Sequence, residues 1–198
     1  MAEIAANDVM DLRRRTGAGM MECKRALQEA GGDMDAAVTV LRKAGAAKAE
    51  KKSGRTTGEG GIATYIHAGN KIGVLVEINC ETDFVARTDQ FKELGRDIAM
   101  HVAAANPRFI SRDEVDEKVL ANERDIYRAL ALKEGKPEAI VDKVVEGRIS
   151  KFYAEACLLE QPFVKNPDVT ISKLVEEKVS ILGENLQIRR FVRFAVGE

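Results

Sequence analysis

Alternating and helical periodicities divide the chain. Val74, Val76, Ile78 and Cys80 alternate with Leu75, Glu77 and Asn79, which predicts a strand over Lys71–Cys80. A shorter run from Ile62 to His67 predicts a strand before it, and the Ala68-Gly69-Asn70 step between the two is a hairpin signal. The end of the chain alternates again. Leu186, Ile188, Val192, Phe194 and Val196 share one predicted face with Arg190, and Gln187, Arg189, Phe191 and Arg193 share the other.

Elsewhere the period is helical. Residues 4–44 read as three short helices. Ile4, Val9 and Leu12 mark the first, which ends at Gly17-Ala18-Gly19. The second, Met20 to Ala30, carries Cys23, Ala26, Leu27 and Ala30 on one side and stops at Gly31-Gly32. Asp33 caps a third that turns Ala37, Val38 and Leu41 inward. Of Met20 and Met21, one is expected inside and one out, available for adaptable apolar contact with a partner.

After the hairpin, a helix from about Asp89 places Phe91, Leu94, Ile98 and Val102 on one face and ends at Asn106-Pro107. Ser111 and Glu114 have capping-box spacing and introduce a charged helix through Ile126, Leu130 and Leu132. Gly135 stops it. Pro137 starts another, with Ile140, Val141, Val144, Val145, Ile149, Phe152 and Ala156 on a broad stripe, and the two are expected to pair antiparallel. Gln161-Pro162-Phe163 and Asn166-Pro167 read as turns. Thr170 is positioned to cap a last helix with Leu174, Val175 and Leu182, closed by Gly183.

The fold class is therefore α+β. A three-helix module (1–45) is followed by a basic linker (46–59) and an α+β core (60–198) with a small three-stranded antiparallel sheet and an antiparallel helix pair. A bundle of about 40 residues has too small a core for much stability alone, so its value is as a docking module.

Composition narrows the function. No apolar run approaches the roughly 18 residues of a membrane span. Cys23, Cys80 and Cys157 form no C-x-x-C, which suits reduced thiols and a cytoplasmic protein. With two histidines, no dedicated zinc site is expected. Net charge is −1, which gives no general attraction to nucleic acid, although six basic residues against one acidic residue lie between Arg42 and Arg55. That stretch reads as a solvated tether, or as a phosphate-tracking arm with steeply salt-dependent RNA affinity. Nucleotide-binding, zinc-protease and serine-hydrolase motifs are absent. The expectation is binding work, with no catalytic residue, metal or cofactor. His101, among alanines, reads as a core or partner-surface residue. His67, at the hairpin, is either a partner contact or a surface turn residue. Cys80 reads as buried and inert.

The stretch Glu77–Arg87, Glu-Ile-Asn-Cys-Glu-Thr-Asp-Phe-Val-Ala-Arg, runs from strand end to helix start. Thr82 and Asp83 both suit a helix cap. Local pattern alone favours Phe84 folding into the core, as most phenylalanines do.

Two stretches carry a resemblance. They are Leu12-Arg-Arg-Arg-Thr-Gly-Ala-Gly-Met-Met-Glu-Cys-Lys-Arg-Ala-Leu27 and Glu77–Arg87, in this order and at this separation. Together they resemble the bacterial elongation factor Ts family in its short, single-core form. The likeness continues through His101-Val102, Gly135 to Lys151, Gln161 to Val164, and Gly183 to Phe194.

The resemblance implies guanine-nucleotide exchange on elongation factor Tu during translation elongation, with nucleotide-free and GDP-bound forms as partners. It implies that the N-terminal module is ubiquitin-associated-like and docks through Arg13, Met20 and Met21. Thr82, Asp83, Phe84 and Val85 would dislodge the partner's magnesium, which turns Phe84 outward. Leu182 and Gly183 would contact the partner near the nucleotide, with Lys52, His67 and His101 as lesser contacts. Longer relatives duplicate the core. A single core copy implies a homodimer and a two-to-two complex, with neither nucleic acid nor membrane as partner.

Overall fold

The computed structural model describes residues 4–198. The fold is α+β, in the order α1 (Ala6–Thr16), α2 (Met20–Glu29), α3 (Met34–Lys52), β1 (Glu59–Ile66), β2 (Ile72–Cys80), α4 (Asp83–Ala86), α5 (Asp89–Ala105), α6 (Glu117–Lys133), α7 (Glu138–Ala156), β3 (Pro162–Phe163), β4 (Asn166–Thr170), α8 (Ile171–Leu182) and β5 (Leu186–Ala195). The strands β1, β2 and β5 form one sheet in the order β1-β2-β5, and β3 pairs antiparallel with β4. Among the described residues no helix is long and apolar enough to cross a membrane.

The chain divides into two compact units. The first comprises the chain up to Ala63, Glu77–Arg96 and Lys173–Ile188. Its helical module forms as the capping residues dictate. Gly17 ends α1 in the left-handed region at φ 68°, where its N–H reaches the Arg13 carbonyl. The Asp33 carboxylate accepts from the Ala36 N–H at the start of α3. Val9, Leu12, Cys23, Ala26, Leu27 and Ala37 close the small core.

Helix α3 continues to Lys52, with Gly45 and Ala49 buried. It lies against α8. A Cβ built on Gly45 would stand 3.4 Å from Ser180, and one on Gly17 would stand 3.2 Å from Ile181. Lys48 pairs with Glu22 across to α2. Met20 and Met21 are both exposed, at 42% and 67%, so the expectation of one buried methionine is corrected. Cys23, Ala26 and Leu27 already fill the inward face of α2.

The second unit comprises Thr64–Val76, Asp97–Ser172 and Arg189–Glu198. Helices α6 and α7 pair through Val141, Val145, Ile149 and Ala131, bordered by ion pairs Arg128–Asp142 and Arg148–Glu134. The α6 cap is not Ser111. Asp116 accepts from the Lys118 N–H, and residues 112–114 form a separate 3-10 turn in which Glu114 accepts from the Ile110 N–H. The segment read as two turns at 161–167 instead contains the β3–β4 pair. Proline at a strand's first position removes no needed donor, and that tolerance hides short strands from pattern reading.

His101 is fully buried here. Its Nε2 meets Gln161 Oε1 at 2.9 Å, and its Nδ1 accepts from the Val164 N–H at 3.3 Å. The neutral ring thereby ties α5 to the β3–β4 pair, and burial pushes its pKa down.

Strand β5 departs from simple alternation. Leu186 and Ile188 are buried, but Arg189 and Arg190 are both exposed, and beyond them Phe191, Arg193 and Ala195 become the covered set. Val192, Phe194 and Val196 point outward at 38%, 68% and 76% exposure. At the arginine pair the covered positions change from Leu186 and Ile188 to Phe191, Arg193 and Ala195. Arg193 is held inward by the Ala103 carbonyl and the Glu198 carboxylate.

Candidate functional site

Strand β2 ends at Cys80, which is buried, and the chain turns at once into α4. Thr82, in extended backbone, is the N-cap, and its Oγ1 accepts from the Val85 N–H at 3.5 Å. The Thr82 carbonyl accepts from the Cys80 thiol at 3.1 Å and from the Ala86 N–H at 3.3 Å. Burial pushes the Cys80 thiol pKa up, which keeps it a neutral donor. Thr88 follows and bonds the Val85 carbonyl while capping α5 at Phe91.

Within this turn the four side chains differ. Thr82 is bound on every polar atom. Asp83 pairs with Arg87 at 2.6 Å on the surface. Val85 is buried. Phe84 is 78% exposed, the most exposed of the large apolar side chains among the described residues. Adjacent residues of a helix point about 100° apart, and here Val85 takes the inner position while Phe84 turns outward.

The turn after α8 reaches the same place. Glu184 Oε2 accepts from the Glu81 and Thr82 N–H groups at 3.1 and 3.0 Å, and Oε1 accepts from the Thr82 hydroxyl at 2.6 Å. Glu81 answers by accepting from the Asn185 N–H at 2.7 Å. That bond, and then Arg55, holds the Glu81 carboxyl below the usual range. Asn185 donates to the Ser53 and Arg55 carbonyls at 3.2 and 2.8 Å. Gly183, at φ 79°, offers its carbonyl to the Lys52 ammonium.

The structure thus gathers Lys52, Thr82–Val85 and Leu182–Gly183 into one hydrogen-bonded cluster of the first unit. Arg13, Met20 and Met21 belong to the same unit, and all three are exposed. His67 lies in the second unit, exposed at the end of β1, with its Nδ1 3.1 Å from the Tyr65 hydroxyl. Reading the residues did not single out Glu184 or Asn185 for the site. A glutamate after a helix-ending glycine carries no local signal, because its partners lie about a hundred residues away in sequence. Among the described residues no group of three or more His, Cys, Asp or Glu could hold a metal ion.

A family profile described as Elongation factor TS matches residues 34–198. The Elongation factor Ts of Solibacter usitatus is 60% identical over 198 residues, spanning 100% of this chain and 93% of that protein. That of Carboxydothermus hydrogenoformans is 59% identical over 195 residues, spanning 98% and 90%. That of Geobacter sulfurreducens is 56% identical, also over 195 residues, spanning 98% and 90%.

Proposed function

The chain belongs to the elongation factor Ts family, and from that premise we propose that it is a guanine-nucleotide exchange factor. It binds elongation factor Tu with GDP in place, displaces the magnesium and lets GDP leave, making and breaking no covalent bond. The observation that carries the reading is Phe84, 78% exposed on a turn whose neighbouring residues are all tied down. An apolar ring held out in water costs free energy unless a partner covers it.

The mechanism is mechanical and electrostatic. Magnesium compensates the charge of nucleotide phosphates in a GTPase. Phe84, entering beside that site with Asp83, shifts the elements that hold the ion, and the uncompensated phosphates then depart faster. Burying one phenylalanine gives about 1.5–3 kcal/mol. Driving a site from mostly filled to mostly empty needs about 5.5 kcal/mol of differential binding. Further contacts must supply the rest. Arg13 with exposed Met20 and Met21 suits an adaptable docking face, while Lys52, Leu182, Gly183 and His67 extend the grip. Linkage makes the effect reciprocal, so nucleotide weakens the factor's binding by the same ratio.

The factor acts as a homodimer, giving a two-to-two complex. Support comes from the outer sheet face of the second unit, where Ile66, Leu75, Val192, Phe194 and Val196 are all exposed. Leu75 lies between buried Val74 and Val76 and so points to the other face, and the exposed side chains on the neighbouring strands add apolar surface to the sheet. A second copy presenting the same face would cover it symmetrically.

The test is release of a fluorescent GDP analogue from elongation factor Tu. Saturable acceleration by the purified chain is expected. A folded chain that leaves the release rate unchanged overturns the proposal.

A further inference from the structure

Helix α4 has four residues and only two bonds of helical spacing, Ala86 N–H to Thr82 and Arg87 N–H to Asp83. So short a helix cannot fix its own direction, because nucleating one turn is unfavourable. The direction of Phe84 must come from outside. On one flank the anchor is Val85, buried beneath the turn. On the other it is Glu184, whose two oxygens take three donors from Glu81 and Thr82.

We propose that Glu184 is a positioning residue for exchange, which touches no nucleotide and fixes the angle at which Phe84 is presented. The proposal rests on the exchange reading above. The carboxylate suits the task because it is acceptor-only, and charged acceptors make stronger bonds than neutral ones. It takes both the N–H and the hydroxyl of Thr82, leaving that hydroxyl's lone pairs for the Val85 N–H. A ring pre-set in its bound direction saves ordering entropy at the moment of insertion. The same turn carries Gly183, bound by Lys52, and Asn185, bound to the residues that follow α3. Load applied by the partner at Leu182–Gly183 therefore reaches Thr82 through Glu184, alongside the Asn185–Glu81 bond one residue earlier.

The test has two measurements on the full-length chain. In the free protein, hydrogen exchange over residues 81–86 is expected to quicken about tenfold in Glu184→Ala while α6 and α7 stay unchanged. With elongation factor Tu and a fluorescent GDP analogue, the maximal release rate is expected to fall about tenfold, with the half-saturating concentration nearly constant. Glu184→Gln, which keeps one acceptor oxygen, falls between. In a Phe84→Ala background, Glu184→Ala adds no further loss, since both act through the same ring. Unchanged protection at 81–86, additive losses, or a change confined to half-saturation overturns the role. A wild-type chain that does not speed GDP release overturns the exchange reading and this role with it. Normal wild-type exchange with an unaffected Glu184→Ala variant overturns this role alone.

Discussion

Gly45 and Ser180 pack against each other so closely that a Cβ on the glycine would sit 3.4 Å from the serine Cβ and Oγ. This contact seats α3 on α8. It separates two substitutions that helix propensity alone ranks together. Gly45→Ala gains about 1 kcal/mol of helix propensity and meets only ordinary contact, so urea melts are expected to place it at or above wild type. Gly45→Leu overfills the seam and is expected to lose about 1–3 kcal/mol.

Phe84→Ala is expected to slow GDP release severalfold or more at saturating factor while leaving the thermal midpoint within a degree or two. The ring is mostly in water, so its removal costs the native state little. Stopped-flow release and a circular dichroism melt on one preparation check both halves. A large fall in the midpoint would mean that the ring packs inside.

Phe194 is 68% exposed on β5, an edge strand of the sheet. Wild type is expected to sediment as a dimer and Phe194→Glu as a monomer at micromolar concentration, because an unpaired charge in a buried interface is strongly unfavourable. Sedimentation velocity decides it. A monomeric wild type would remove the dimer from the account.

Burial depresses the pKa of His101 from its ordinary 6.5, against the opposing hydrogen bond that its Nε2–H donates to Gln161. The sign follows from proton counting. Below 6.5 the unfolded chain binds a proton that the folded chain refuses, so stability falls as pH drops from 6.5 towards the lower native value. Above 6.5 the contribution is constant. The slope approaches about 1.4 kcal/mol per pH unit within that window. Urea melts between pH 7.5 and 5 should show it, and His101→Phe should flatten it.

All three cysteines are buried, and burial raises the Cys157 pKa to about 11. A thiol reagent at pH 8 is expected to label none of them promptly in the native protein and all three in denaturant. Rapid native labelling of Cys157 would contradict its position behind Phe109 and Tyr153.

Local chemistry was legible in the residues themselves. The glycines after α1 and α2, Asp33 before α3, Asn106-Pro107 after α5 and the stripe Phe91–Leu94–Ile98–Val102 set their elements because capping and periodicity act within a few residues. The long motifs Leu12–Leu27 and Glu77–Arg87 were specific enough to indicate the family, with which the profile match agrees. The face that Phe84 takes could not be decided at that range. Thr82 and Val85 hold the inner positions through Cys80, Glu184 and the core beneath, and Glu184 comes from a turn about a hundred residues further along. The change of covered positions at Arg189–Arg190 is of the same kind, since alternation gives a strand's period and only the packed neighbours choose which side is covered.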